Sequence, residues 1–172
     1  EQQKVFLQFA GDNPVYGHWK PIFVFLIGTG VRVGELSGLR WCDIDFENGI
    51  ITIDHAVVYF AGKLNPTEKR LYMSTPKTHA GVRKIPMVKE VRKALEELRQ
   101  YYKDIGLFCK VEIDGYTDFV FLNRYGNVLL QHDLERALVR VTDAYNEAEI
   151  HNAALKKREA FLLPHFTCHS LR

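Results

Sequence analysis

The sequence has little cysteine, no long apolar run, almost no net charge and no low-complexity tract. Its three cysteines, Cys42, Cys109 and Cys168, are odd in number and form no C-x-x-C pair. That argues against a disulfide-stapled framework and predicts a reducing, cytoplasmic setting. The longest apolar stretch, Ile22 to Ile27, ends at Gly28, far short of the roughly 18 residues that span a bilayer, so no membrane partner is expected. No Met opens the chain, and Glu1-Gln2-Gln3-Lys4 has none of the architecture of a signal peptide. The expectation is a chain that begins inside a longer protein. Internal repeats are absent as well, which leaves residues 1–172 as one continuous domain.

What is present suffices for a packed core. Of the 172 residues, 47% are apolar, 26% charged and 12% aromatic, the composition of an ordinary globular domain. A chain of this length buries roughly 70% of the surface its unfolded form exposes. The 23 bases and 21 acids nearly cancel to +2, yet their distribution is uneven. Between Lys63 and Lys84 stand Lys63, Lys69, Arg70, Lys77, Arg83 and Lys84 against a single acid, Glu68. Such a basic segment suits a polyanionic partner, although solvated surface gives the same pattern.

Patterning predicts helices, then a small antiparallel sheet, then helices, an α+β arrangement without βαβ alternation. Val5, Phe6 and Phe9 mark a short first helix closed by Gly11-Asp12-Asn13-Pro14. A second helix is expected over His18–Thr29 and a third over Gly34–Leu39. Ile50–Ile53 should begin a strand that continues through Val57–Phe60. Arg70–Thr75 and Val82–Met87 read as the two arms of a hairpin around Thr78-His79-Ala80-Gly81. Val91, Ala94, Leu95, Leu98 and Tyr102 fall on one face of a helix over Val88–Tyr102 that Gly106 closes. Phe119–Leu122 reads as a short apolar strand or a buried extended segment before a turn at Tyr125-Gly126-Asn127. From Leu130 to Phe161 the pattern is helical, with a break expected near Thr142 and a stop at Pro164.

Three constellations carry chemistry. Gly28-Thr29-Gly30-Val31-Arg32-Val33-Gly34-Glu35-Leu36 invites a dinucleotide-binding reading with Asp54 as the ribose acid, but its G-x-G-x-x-x-G spacing, the arginine within the turn and the missing second crossover oppose it. In the competing reading the Arg32 guanidinium grips a phosphate and Glu35, three residues on, orients it; a plain surface ion pair is the bland alternative. Thr75-Pro76-Lys77-Thr78-His79-Ala80-Gly81-Val82-Arg83 sets Lys77 at a hairpin mouth, able to reach a groove or a leaving oxygen, or merely protecting a sheet edge. His165-Phe166-Thr167-Cys168-His169-Ser170-Leu171-Arg172 offers a weak zinc reading through His165, Cys168 and His169 and a weak thiol-nucleophile reading. It also offers a proton-transferring His169 on the same helical face as Arg172.

Taken in order, Arg32 with Glu35 in T-G-x-R-x-G-E-L, Lys77 in T-P-K-T-x-A-G-x-R-x-I-P and H-S-L-R at 169–172 resemble the catalytic domain of the tyrosine recombinases, the phage-integrase family. The likeness is nearest to integrases of conjugative transposons, which share stretches such as Leu39-Arg40-Trp41-Cys42-Asp43-Ile44-Asp45-Phe46. The resemblance implies a mainly helical α+β catalytic domain with a small antiparallel sheet carrying a lysine hairpin. It implies site-specific DNA recombination, the integration or excision of a mobile element, through a 3′-phosphotyrosyl intermediate. Arg32 and Arg172 would bind the scissile phosphate, His169 would move a proton, Lys77 would protonate the departing 5′ oxygen and Glu35 would support Arg32. Arg32, Lys77, His79, Arg83 and Arg172 would contact DNA. No cofactor and no metal are implied. The partner would be double-stranded DNA at element ends and target, with a homotetramer on DNA for the full-length protein and a monomer for this chain. The family's nucleophilic tyrosine follows the H-x-x-R box, whereas all eight tyrosines here precede it. The expectation is therefore a catalytic-domain fragment without its N-terminal DNA-binding domains or its tyrosine segment, and inactive in cleavage by itself. Arg32 and Arg172 should converge on one concave basic surface.

Overall fold

The structure, a computed structural model, describes residues 1–61, 69–75 and 82–170. Helix α1 (Gln2–Asp12) and helix α2 (Lys20–Thr29) are joined through a 3-10 turn at Gly17–Trp19. α2 is apolar almost all round, with Pro21, Ile22, Phe23, Phe25 and Leu26 buried, and a helix of that composition belongs in the middle of a fold. It packs along α4 (Lys89–Asp104), whose Val91, Ala94, Leu95, Leu98 and Tyr102 form the predicted buried stripe. Gly28 permits that approach, since a Cβ there would stand 2.4 Å from Val91 Cγ2. Aromatic rings knit the layers together. Phe6 meets Phe23 at 5.1 Å and Phe166 at 5.2 Å between ring centroids, and Phe25 meets Phe121 at 4.7 Å, spacings at which tilted rings attract beyond their buried area.

α3 (Val33–Gly38) follows directly, then β1 (Ile44–Asp45), β2 (Ile50–Ile53), β3 (Ala56–Ala61), β4 (Lys69–Ser74) and β5 (Arg83–Pro86). The strands make two small antiparallel sheets, β1-β2-β5 and β3-β4. The expected strand from Ile50 to Phe60 is thus two strands in different sheets, broken at Asp54-His55. At that corner the buried His55 turns inward to the Gly38 carbonyl, 2.7 Å away. The expected pairing of Arg70–Thr75 with Val82–Met87 is corrected too. Both runs are extended, but Ala56 aligns with Ser74 and Phe60 with Arg70 in one sheet, while Ile53 aligns with Arg83 and Ile50 with Pro86 in the other.

Phe119, Val120 and Phe121 are fully buried, as expected of an apolar segment. They are held by single bonds, Val120 N–H to the Leu39 carbonyl (2.8 Å) and Leu129 N–H to the Phe121 carbonyl (2.9 Å), and not by a ladder. The phenol of Tyr102 accepts the Leu122 N–H at 3.0 Å, and burial pushes its pKa well above the usual range. α5 (Gln131–Leu155) runs unbroken through Thr142, correcting the expected break. One threonine costs a helix only a few tenths of a kcal/mol, and here it lies fully buried. The helix ends at Leu155, short of Phe161, because the chain turns back at Lys157, whose φ is 51°.

Beyond that turn, residues 158–167 return along α5 as an irregular strap, gripped by side chains of the helix. Glu149 accepts the Phe161 N–H (2.9 Å). Asn146 takes both backbone groups of Leu163 (2.8 and 2.9 Å), and Asp143 meets His165 Nε2 (2.7 Å). Asp143, Asn146 and Glu149 are three residues apart, so they share one face of the helix.

Candidate active site

The site begins with how α2 ends. Gly30 caps the helix with φ 64°, its N–H bonded to the Leu26 carbonyl at 3.0 Å, a left-handed conformation that glycine adopts without strain. The chain then re-enters a helix at once, with Arg32 as the residue before α3. α3 lies against β3 at a distance only glycine allows, since a Cβ on Gly34 would stand 2.8 Å from the Val57 carbonyl oxygen. The glycines of the first constellation therefore serve helix packing, a cap and a close approach to β3. The strands around them are antiparallel, and Asp54 is hydrogen-bonded to His55. The dinucleotide reading finds no support in this geometry.

Within this frame Glu35 is the organising group. Its carboxylate, 8% exposed, accepts the backbone N–H of Arg32 at 2.7 Å, closing the first turn of α3 in the manner of a capping box. It also takes both terminal nitrogens of Arg83, at 2.8 Å and 2.7 Å, in a two-pronged ion pair reaching across from β5. Burial pushes the Glu35 pKa up, but the Arg83 hydrogen bonds, the Arg32 N–H and the two guanidinium charges outweigh it. The carboxyl is held below its ordinary range.

Arg32 differs from Arg83 in one decisive respect. Its Nη1 stands 3.6 Å from Glu35 Oε1, inside ion-pair range but beyond a hydrogen bond. Its side chain is 77% exposed. The guanidinium thus stands beside the carboxylate without a hydrogen bond to it and remains largely open to solvent, where a phosphate could meet it bidentately.

The structure brings Arg32, Glu35 and Arg83 together. Lys77, His79 and Arg172 lie outside the described residues. His169 is exposed in a turn over 168–170, opened by reciprocal bonds in which Ser170 Oγ accepts the Thr167 N–H (2.8 Å) and Thr167 Oγ1 accepts the Ser170 N–H (3.1 Å). This is the pattern of a helix N-terminus. Phe166, on the same strap, is anchored against Phe6. Cys168 is buried and His165 is turned to Asp143; among the described residues, His165, Cys168 and His169 do not form a group able to share a metal ion.

Sequence reasoning missed Arg83 as the partner of Glu35, since 48 positions separate them. It also missed the Asp43–His55 knot. There Arg40 pairs with Asp43 (3.2 Å) and lies over the Tyr116 ring, and His55 Nε2 is 3.3 Å from Asp43. Among the described residues, Asp43, Asp54 and His55 are the one group whose ligand atoms lie close enough together to share a metal ion. Both ring nitrogens of His55 already face the Gly38 carbonyl and Asp54. The knot ties the end of α3 to the β2–β3 corner.

Comparison with known proteins agrees with this architecture. The chain matches the Phage integrase family over residues 1–172. It is 37% identical over 175 aligned positions to the transposase from transposon Tn916 of Enterococcus faecalis and to that from transposon Tn1545 of Streptococcus pneumoniae, covering all of this chain and 38% of each of those proteins. A solved structure of the Tn1549 transposon integrase in complex with transposon right end DNA superposes with a TM-score of 0.80 at 32% identity, over 99% of this chain and 48% of that one. XerA recombinase shares the fold, with a TM-score of 0.57 at 20% identity. The chain spans less than half the length of these transposon relatives. No helix among the described residues is long and apolar enough to cross a membrane. With the arginine–glutamate start of α3, the mixed helical and antiparallel architecture and a family match along its whole length, the chain belongs to the phage integrase family.

Proposed function

We propose that residues 1–172 form the phosphate-handling part of a site-specific DNA recombinase that integrates or excises a mobile element. The observation that carries this reading is Arg32, an exposed guanidinium held beside a buried carboxylate with its hydrogen-bond donors unspent on it. In the proposed reaction a tyrosine hydroxyl attacks the scissile phosphorus. A bond from the tyrosine oxygen to phosphorus forms, the bond from phosphorus to the 5′ oxygen breaks, and a 3′-phosphotyrosyl link results. His169 takes the phenolic proton, Lys77 gives one to the departing 5′ oxygen, and Arg32 with Arg172 stabilises charge on the nonbridging oxygens. Among the described residues, Tyr102 is buried on Leu122, Tyr145 is bonded to the Phe161 carbonyl and Tyr116 lies beneath Arg40. The attacking tyrosine is assigned to a segment outside residues 1–172. Duplex DNA at element ends and target is the partner, bound as a homotetramer by the full-length protein in the cytoplasm, with this domain alone a monomer. The Tn1549 integrase, solved with transposon end DNA, supports the choice of partner.

The test uses suicide duplexes carrying the element's end sequence. The full-length protein is expected to form a denaturation-resistant DNA adduct that Arg32→Ala or Arg172→Ala abolishes. The 172-residue chain is expected to form none, while binding duplex with an affinity that falls steeply as salt rises. With Lys77→Ala, a substrate carrying sulfur at the 5′ bridging position, whose leaving group needs no proton, should recover cleavage. No adduct from folded full-length protein would favour a DNA-binding module that does not cut. An adduct from the 172-residue chain would place the nucleophile within it, with the exposed Tyr59, which lines a groove with Val33 and Gly34, as the first residue to replace.

A further inference from the structure

The geometry points to Arg83 as a positioning residue that occupies Glu35 so that Arg32 stays free for phosphate, an inference that rests on the recombinase reading above. A buried carboxylate must be paired, because an unpaired charge away from water is costly. Glu35 has two cationic neighbours competing for it. Arg83 wins both oxygens through a two-pronged pair at 2.8 Å and 2.7 Å, while Arg32 is left at 3.6 Å. The winner is set by the backbone. Arg83 sits in the β2–β5 ladder opposite Ile53, so its fork approaches Glu35 from a fixed direction. Arg32 flanks the carboxylate at the start of α3 and is tied to it through its main-chain N–H.

The consequence follows from the distances. Without the Arg83 fork, Glu35 would hold an unneutralised charge with Arg32 Nη1 only 3.6 Å away. The simplest repair is for the Arg32 guanidinium to close on Glu35 and become an internal salt bridge. Arg83 therefore acts on the reaction without touching the substrate. Its fork is spent on Glu35, which sets it apart from an arginine whose donors face solvent.

An unusual sign is expected, because removing the charge of Glu35 should repair the loss of Arg83. Glutamine keeps a carbonyl oxygen that can accept the Arg32 N–H but has no charge with which to capture its guanidinium. In single-turnover cleavage by the full-length protein, Arg83→Ala is expected to be slower by about 10²-fold, the scale of losing one charged clamp. Glu35→Gln alone, which loses the charge beside Arg32 but keeps an acceptor for its N–H, should be slower than wild type by about 10-fold, and the double variant should recover from the Arg83→Ala level to that of Glu35→Gln. The slope of log affinity against log salt, which falls by about 0.9 for each phosphate no longer neutralised, should drop in Arg83→Ala and return in the double variant. Arg83→Lys, which keeps the charge and protects folding but offers one prong, should show a smaller defect that Glu35→Gln likewise repairs. A double variant as slow as Arg83→Ala, with a slope still reduced, would mean that Arg83 meets a phosphate directly and would overturn the inference. If Arg32→Ala cleaves like wild type, the recombinase assignment of Arg32 fails instead, whatever Arg83 does.

Discussion

Among the described residues the same ionic device occurs twice, and the two copies do different things. Glu35 and Glu149 are both nearly buried, each takes a two-pronged arginine, and each accepts one backbone N–H. The partners are Arg83 and the Arg32 N–H in one case, Arg158 and the Phe161 N–H in the other. At Glu149 the pair clamps the returning strap to α5. At Glu35 a second guanidinium stands within ion-pair range and remains 77% exposed. A paired buried carboxylate is thus only a fastening. The first copy differs in leaving a second cation beside it, still exposed, and that cation is the one we propose for phosphate.

The comparison breaks most severely at Arg32. Arg32→Ala is expected to lower cleavage by the full-length protein by a factor of about 10² to 10³, the usual loss for one preorganised clamp. Its thermal unfolding midpoint should be nearly unchanged, because an exposed guanidinium at 3.6 Å adds little to stability. The strap should respond in the opposite way. Asn146→Ala removes both bonds to Leu163 and should cost about 1–3 kcal/mol in urea unfolding, with residual cleavage at low temperature close to wild type.

Acid sharpens the contrast further. The hydrogen bonds from Arg158 and Phe161 lower the Glu149 pKa from 4.5 to about 2. A carboxyl depressed in the folded state stabilises that state above its unfolded pKa, and the contribution is lost as pH falls from about 4.5 toward 2. Glu149→Gln should therefore flatten the acid limb of a stability profile in that window while lowering stability at neutral pH. The smallest effect is expected at Thr142, fully buried on α5 with no hydrogen-bond partner for its hydroxyl among the described residues. Thr142→Val should leave stability unchanged or raise it by up to about 1 kcal/mol in the same urea experiment.

Much of this was readable in the sequence wherever contacts are local. α4 emerged within two residues of its observed ends because Val91, Ala94, Leu95, Leu98 and Tyr102 repeat at helical intervals. Arg32 and Glu35 could be paired because they stand three apart. Contacts between distant segments were hidden. The split of the strands into two sheets depends on β5 crossing back to β2 and on β4 pairing with β3. Neither leaves a periodic trace. The 158–167 strap has no periodicity at all, since its order comes from Asp143, Asn146 and Glu149 reaching out from α5. Arg83 reads in the sequence as one of the bases that contact DNA, and its two-pronged pair with Glu35 appears only when the fold sets the two together.

The central claim is that Arg32 neutralises charge on the scissile phosphate. The direct measurement is single-turnover cleavage by wild type and Arg32→Ala of two duplexes, one with an ordinary scissile phosphate and one in which a methyl group replaces a nonbridging oxygen, removing its charge. The expected result is a defect of at least about 10²-fold on the phosphate that shrinks below about 10-fold on the neutral methylphosphonate, where there is no charge left to clamp. Equal defects on both substrates would contradict the claim.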